Sequence, residues 1–325
     1  MMNNTLKNHL CKLPSGYVIV GKWHKHSYKI IKPLGKGANG VVYLAESPKG
    51  LVAVKLSDNS TAITSEVNVL KHFSKVQGVA LGPSLLDVDD WFDPYGKKIV
   101  CFYVMEYIKG EDFLAFIQKR GKEWIVVLIL QLLSDLEKLH QEGWVFGDLK
   151  PENLLVVGQA PKIRLLDVGG TTLKGRAIKE FTEFYDRGYW GMGSRKAEPS
   201  YDLFSVAMIM MNACYLKRFE KKGNGREQLM KMIDADETLR KYRKVLMRAI
   251  AGKYDHAREM HHELMAVVMD ESSRTKTNSR ANQSRKGAVQ QRYQKRKKHS
   301  GILETALIVM FLLFMYVMYL YGELL

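Results

Sequence analysis

Gly147-Asp148-Leu149-Lys150-Pro151-Glu152-Asn153-Leu154 places a carboxylate, an ammonium group and a carboxamide at fixed offsets in one short run. A carboxylate such as Asp148 can orient an attacking hydroxyl or accept its proton. An ammonium such as Lys150 can neutralise a moving phosphate, and a carboxamide such as Asn153 can hold a magnesium ion. A polar turn between a helix and a hairpin would use the same residue types, so the weight of the run depends on its surroundings.

Upstream, Gly35-Lys36-Gly37-Ala38-Asn39-Gly40-Val41-Val42 is a Gly-x-Gly-x-x-Gly-x-Val loop. Apolar alternation before it (Tyr28 to Leu34) and after it (Val41 to Ala45) predicts a hairpin, with the loop running from strand to strand. A dinucleotide-binding loop would instead run from a strand into a helix. Glycines at 35, 37 and 40 let backbone N–H groups approach phosphate oxygens without a Cβ in the way. The next strand, Leu51-Val52-Ala53-Val54-Lys55-Leu56, carries a Lys in an apolar run. A buried strand keeps such a charge only when it is paired. Glu66 is the expected partner, on a helix predicted over Ser65 to Phe73 from apolar residues at helical spacing. Downstream, Ile163-Arg164-Leu165-Leu166-Asp167-Val168-Gly169-Gly170 sets an acid after a short strand, with glycines behind it.

These four elements, in this order, resemble the Hanks-type serine/threonine protein kinases over roughly residues 28 to 265. The resemblance implies an α+β fold of two lobes, a small β-rich one and a larger helical one, and an enzyme using ATP and Mg2+. It implies catalytic roles for Asp148 and Lys150, and magnesium binding by Asn153 and Asp167. ATP contacts are expected from Gly35, Gly37, Gly40, Val42 and Lys55, with Glu66 holding Lys55. In Tyr103-Val104-Met105-Glu106-Tyr107 the backbone of Met105, Glu106 and Tyr107 is expected to hold adenine, with Met105 lining the pocket. Glu111 or Asp112 is expected near the ribose, although a solvated surface acid explains either equally well. Asp202, in Tyr201-Asp202-Leu203-Phe204-Ser205, is expected to bond the backbone of the catalytic loop, although an acid at a helix start explains it nearly as well.

Two departures bear on regulation. The usual His-Arg-Asp triplet is Phe146-Gly147-Asp148, and Gly147 has no guanidinium to clamp a phosphate on the activation segment. The expectation is a kinase not switched on by that clamp. No Ala-Pro-Glu triplet occurs between Asp167 and Asp202, where Thr182-Glu183-Phe184-Tyr185-Asp186-Arg187-Gly188-Tyr189-Trp190 stands instead. Arg258 lies where the partner of that Glu would be and is assigned no role. Thr182 is read as the substrate-loop threonine, and Thr171, Thr172 and Thr182 are candidate autophosphorylation sites.

The 325-residue chain suffices for a two-lobed kinase domain and little else. Three well-separated cysteines (Cys11, Cys101, Cys214) have no metal-ligand or redox spacing and suit a reducing compartment. The first 21 residues hold no apolar core of secretory-signal length. Of the net charge of +16, ten positive charges lie between Ser272 and Leu303, where no acid occurs. That stretch has too few apolar residues to build a core. After it, Ala306 to Tyr321 are uncharged and apolar on all sides. Extended by Thr305 and Gly322, they make about 27 Å of helix, near the roughly 30 Å hydrocarbon thickness of a bilayer.

The expected organisation is therefore an N-terminal extension (1–27), a kinase domain (28–270), a basic juxtamembrane linker (271–301) and a single transmembrane tail (302–325). Positive residues on the N-terminal side alone predict a cytoplasmic kinase domain at the cell membrane. This layout is similar to that of membrane-anchored kinases of spore-forming bacteria. The expected partners are protein substrates with Ser or Thr acceptors, the membrane, and either anionic lipid or DNA through residues 274–298. With Tyr293 alone available for base stacking, any DNA binding would be sequence-independent. Two other readings stay open: a pseudokinase scaffold at the membrane, and a small-molecule phosphotransferase, whose catalytic loops often read His-Gly-Asp.

Overall fold

Strands at the start of the chain follow from runs of β-branched and aromatic residues with one face buried. β1 (Val18–Val20), β2 (Ser27–Gly37), β3 (Gly40–Ser47) and β4 (Gly50–Ser57) lead to helix α1 (Ser60–Phe73), then to β5 (Leu85–Asp93) and β6 (Lys98–Glu106). In this computed structural model the described residues are 10, 12–37, 40–74, 82–270, 305–313 and 315. The six strands form one antiparallel sheet in the order β1-β2-β3-β4-β6-β5. Its two ends are also tied together, because the backbone N–H of Lys22, just after β1, donates to Asp90 O on β5 at 2.7 Å. Ile19, Tyr43, Val54, Val100 and Phe102 are fully buried inside the resulting curl.

Part of the predicted N-terminal extension belongs to this core. Leu10, Leu13 and Ile19 are buried with it. The Tyr43 hydroxyl donates to Leu10 O at 2.5 Å and accepts from the Leu13 N–H at 3.3 Å. Asn59, just before α1, caps the helix with its side chain, which accepts from the Ala62 N–H. Its apolar face (Ile63, Val67, Leu70) is buried together with Glu66.

After β7 (Glu111–Asp112) the chain becomes mainly helical, with α2 (Phe113–Arg120) and α3 (Glu123–Gln141). Residues Ile125, Leu128, Ile129, Leu132, Leu136 and Leu139 recur at helical spacing and are all buried. Three short strands follow: β8 (Trp144–Val145), β9 (Leu154–Val157) and β10 (Lys162–Leu165), with β11 (Thr172–Leu173) pairing back to β8. α4 (Pro199–Tyr215) is buried on every face from Tyr201 to Cys214 and forms the centre of this lobe. α5 (Gly225–Ala235), α6 (Glu237–Lys241) and α7 (Arg243–Ile250) follow, and after them residues 257–270 are helical, with Ala257, Met260 and Leu264 buried.

The two expected lobes are thus both present in the compact unit that ends at Met265. The remainder, from Ala266, forms a second unit. There residues 305–313 are helical, and the side chains from Leu307 to Leu313 are exposed. Among the described residues no helix is long and apolar enough to cross a membrane. Most of the span expected over 302–325, and all of the basic stretch 274–298, lie outside the described residues.

Replacing Ile19 by Ala removes a fully buried side chain from the sheet's core. The expected loss is about 2–4 kcal/mol of unfolding free energy in chemical denaturation. A loss below about 0.5 kcal/mol, the usual range of a surface substitution, would mean that the extension does not share the core.

Candidate active site

Antiparallel pairing aligns three side chains across the sheet: Val42 on β3 is opposite Lys55 on β4, and Lys55 is opposite Tyr103 on β6. Lys55 is 5% exposed, so its ammonium group must find partners within the protein. It lies 2.7 Å from Glu66 Oε2, from α1, and 3.5 Å from Asp167 Oδ1. The Tyr103 hydroxyl also donates to Glu66 Oε2, at 2.7 Å. Burial pulls the Lys55 pKa down, but the carboxylates of Asp167 and Glu66 outweigh it and hold the group above its ordinary value. Burial raises Asp167, yet the Lys55 charge and the Gly169 N–H bring it below the ordinary carboxylate value. Burial and then Glu66 push the Tyr103 hydroxyl well up, so it stays protonated and able to donate. Asp167 alone of this group opens outward, its side chain 47% exposed.

A cavity of about 330 Å³ adjoins the group. Leu34, Val42, Ala53, Leu155 and Leu166 are among its apolar walls, and Lys55, Asn153 and Asp167 are among its polar side chains. Met105, Glu106 and Tyr107 all border it, as expected. The Glu106 side chain is occupied elsewhere, accepting from Arg164 at 3.0 Å and from the Ser84 N–H at 3.2 Å. Of the two ribose candidates, Asp112 lines the cavity, whereas Glu111 pairs with Lys119. Gly35 borders the cavity, and a Cβ there would meet nothing within 4 Å, so the space is open to a ligand. Gly40 serves the sheet instead: its φ is +158° and a Cβ would lie 2.4 Å from Leu56 O. Gly37 ends β2 beside it, next to residues 38–39, which lie outside the described residues.

The catalytic loop runs from β8 to β9 and is held by Asp202 of α4. That carboxylate is fully buried and accepts from the N–H groups of Phe146 (2.8 Å) and Gly147 (2.9 Å). His140, at the end of α3, contacts Asp202 Oδ2 through Nε2 at 2.9 Å. The role expected of Asp202 is therefore the one its geometry fits, with a third partner that no sequence motif announced. Phe146 is buried as a packing residue. Asn153 donates to Asp148 O at 2.9 Å and so closes the loop on itself. Asp148 Oδ2 accepts from Lys150, while Oδ1 accepts from the Thr182 hydroxyl at 2.9 Å. Lys150 also donates to the Thr182 oxygen at 3.2 Å, giving a triangle of carboxylate, ammonium and hydroxyl.

Gly147 has a structural reason to lack a side chain. Its φ is +84°, and a Cβ would stand 2.7 Å from Gly170 O. A Cβ on Gly170 would in turn meet Asp148 Cβ at 2.9 Å. The catalytic loop and the Asp-Val-Gly loop therefore pack backbone against backbone, which leaves no room for an arginine at position 147.

The activation segment is braced by residues that sequence reading quoted but could not place. Asp186 is fully buried and accepts from the N–H groups of Gly188 and Tyr189, from Arg195 (2.6 and 2.8 Å) and from the Tyr201 hydroxyl (2.8 Å). Arg187, also buried, donates to Glu198 (3.0 Å), Ser200 Oγ (2.8 Å) and Ser194 O (2.6 Å). These two clusters stand where the missing Ala-Pro-Glu triplet left a gap. Arg258 is not part of them: its side chain is exposed, and its backbone N–H donates to Glu137. Lys179, which no sequence motif marks, donates to Ser65 Oγ on α1 at 3.0 Å and to Thr171 O at 3.1 Å, tying the segment to the helix that carries Glu66. Thr171 and Thr172 are buried, so of the three candidate acceptors only Thr182 is partly open.

The sequence profile of the protein kinase domain matches residues 28–293, and the chain belongs to that family. A relative of the same length is the serine/threonine-protein kinase YabT of Bacillus subtilis, 50% identical over 98% of both chains. The sporulation protein kinase mde3 of Schizosaccharomyces pombe is 29% identical over 64% of this chain and 41% of its own. Among solved structures, the kinase domain of Mycobacterium tuberculosis PknI superposes with a TM-score of 0.54 at 18% identity. That likeness covers 78% of this chain and 98% of that one, and shows the shared fold. Protein kinases use ATP and Mg2+. The donor set here fits both: apolar walls for a base, Lys55 for phosphates, and the oxygens of Asn153 and Asp167 for a hard cation.

Gly147→Arg, which writes the family's usual triplet into this chain, is expected to lower the thermal midpoint and to reduce activity, because of the contact with Gly170 O. An unchanged midpoint would refute the close packing. Asp186 gives a pH prediction. Burial raises its pKa, but Arg195, Tyr201 and two N–H groups outweigh burial and depress it. Its stabilising contribution is therefore complete above the unfolded carboxylate value of about 4, and is lost as pH falls through the lower folded value. Asp186→Asn should cost about 3 kcal/mol at pH 7 and show a shallower loss of stability between pH 5 and 3 than the parent. Parallel acid slopes would contradict this account.

Proposed function

We propose that the chain is a serine/threonine protein kinase held at the cytoplasmic face of a membrane by its C-terminal apolar segment. The observation that carries the catalytic part is the triangle of Asp148, Lys150 and Thr182 beside the Lys55–Glu66–Asp167 cluster. A threonine hydroxyl already donates to Asp148 there, which is the contact a substrate hydroxyl needs. Asp148 aligns the acceptor and takes its proton as the new O–P bond forms and the bond to the ADP oxygen breaks. Lys150 and Lys55 offset the phosphate charge, and Glu66 keeps Lys55 in place. Asn153 and Asp167 would hold magnesium, which when bound would further neutralise that charge. Most of the acceleration comes from positioning and fixed electrostatics. The identity with a serine/threonine-protein kinase along the full length supports a protein acceptor over a small molecule, and a catalyst over a scaffold.

The brace formed by Asp186, Arg195, Arg187 and Glu198 does for the activation segment what a phosphate clamp does elsewhere, so activity does not wait on phosphorylation of the segment. The membrane part of the proposal rests on the uncharged run Ala306 to Tyr321 and on the ten positive charges before it. That basic stretch engages phosphate-bearing surfaces, anionic headgroups or DNA or both, and couples them to activity.

The test is magnesium-dependent phosphate incorporation from labelled ATP, with Asp148→Ala alongside. A fall of about a thousandfold in the variant is expected. Equal incorporation by both would remove Asp148 from the chemistry, and none by either, with ATP binding intact, would favour the scaffold. For the anchor, the full chain should partition with vesicles through an alkaline wash, and a chain ending at Ser300 should not. Retention of the shortened chain would refute the anchor. Chains ending at Ser300 and Asp270 should differ in salt-sensitive binding to anionic vesicles or to DNA, and equal binding by both would end the role given to the basic stretch.

A further inference from the structure

On the small lobe three potential metal-binding side chains converge, none of which lines the cavity beside Lys55. His24 Nδ1 lies 2.6 Å from Asp87 Oδ1, and His26 Nδ1 lies 2.8 Å from Asp87 Oδ2. The ligand atoms of the three residues all fall within 4.8 Å of one another. We propose that His24, His26 and Asp87 form a binding site for a divalent transition-metal ion of the zinc class, which staples the turn after β1 to strand β5.

The backbone brings the two imidazoles together. Lys25, between them, has φ +57°, a left-handed conformation uncommon for a residue with a side chain. That bend turns the flanking rings toward the same carboxylate, with centroids 5.9 Å apart. The turn is fixed from below by Asp89, whose carboxylate accepts from the N–H groups of Trp23 (2.9 Å) and His24 (2.8 Å). Gly21 packs directly against the same carboxylate, since a Cβ there would lie 2.2 Å from Asp89 Oδ2.

Asp87 is prepared as a ligand. Its side chain is only 8% exposed, while those of His24 and His26 are 53% and 63% exposed. Tyr28 donates to Oδ2 at 2.6 Å and the Val88 N–H to Oδ1 at 2.8 Å, which fixes the carboxylate from the protein side. Such outer hydrogen bonds orient a metal's ligands and are part of a working site.

The donor types select the ion. Two imidazole nitrogens and one carboxylate suit zinc and its neighbours, whereas Mg2+ prefers oxygen ligands and keeps its waters. Tetrahedral coordination at zinc bond lengths puts donors about 3.4 Å apart. The exposed rings can reach that spacing by side-chain rotation while the buried carboxylate stays fixed. Ligation through Nδ1 leaves the proton of each neutral ring on Nε2. A groove of about 630 Å³ beside His26 and Asp87 leaves room for water as a further ligand.

The ion would close a seam. β1 and β5 are the two end strands of the six-stranded sheet, and the turn spans from one to the other. Metal binding should therefore stabilise the lobe that carries Lys55 without touching the chemistry.

The experiment uses the full chain in detergent, free of any affinity tag, titrated with zinc chloride against a chromophoric zinc indicator in excess Mg2+. Wild type should take up one more equivalent than His24→Gln/His26→Gln at about 10 µM free zinc. Losing either ring alone should weaken that binding by about tenfold or more. Zinc should also raise the wild-type thermal midpoint and leave that of the double variant in place. The exposed positions of both rings mean the variant should fold and keep its kinase activity without zinc, which serves as the folding control. Equal zinc uptake by parent and variant, or an extra equivalent without any gain in midpoint, would overturn the proposal.

Discussion

The buried carboxylate of Asp202 is the constraint on which the active site rests. It sits on the most deeply buried helix of the large lobe and accepts from two successive N–H groups of the catalytic loop and from His140. A charge with no exposure is tolerable only when its lone pairs are satisfied, so the loop is held where it can satisfy them. From that fixed point the rest follows. Asp148 and Lys150 project from the anchored loop, Asn153 closes it, and Gly147 and Gly170 bring the magnesium-side loop into backbone contact.

The second lobe reaches this centre through one buried ion pair. Lys55 and Glu66 come from a strand and a helix of the small lobe, and Asp167 comes from the large one. The Lys179 bonds to Ser65 and Thr171 connect the same helix to the activation segment. Buried pairs of this kind contribute less to net stability than to a single geometry, because removing one partner strands the other. The segment itself holds its shape through Asp186 and Arg187, two adjacent residues with opposite charges and separate sets of hydrogen-bond partners. The buried Asp186 carboxylate braces the segment through Arg195, the Tyr201 hydroxyl and two backbone N–H groups.

Much of this was legible in the sequence because it depends on local spacing. The strands around Gly35–Gly40, the Lys55 strand, the helix with Glu66 and the loop at Asp148 all carry their positions in short patterns. So does the pairing of Lys55 with Glu66, since a lysine in a buried strand demands an acid. What could not be read depends on distant contacts. Nothing in Asp186-Arg187 indicates that one turns to Arg195 and Tyr201 and the other to Glu198 and Ser200. The absent arginine at 147 was visible, but its cause, the carbonyl of Gly170, is a contact between residues 23 positions apart. Likewise the burial of Leu10, Leu13 and Ile19 ties a stretch without any motif to the core around Tyr43.

The central claim is that the site is assembled without a phosphate on the activation segment. The most direct measurement is the initial rate of phosphate transfer to an added protein substrate, using chain freed of all phosphate by a phosphatase that is then removed. The account predicts a linear time course from the first seconds, at a rate unchanged by prior autophosphorylation. A lag that shortens as enzyme concentration rises, ending in a rate many times the initial one, would contradict it.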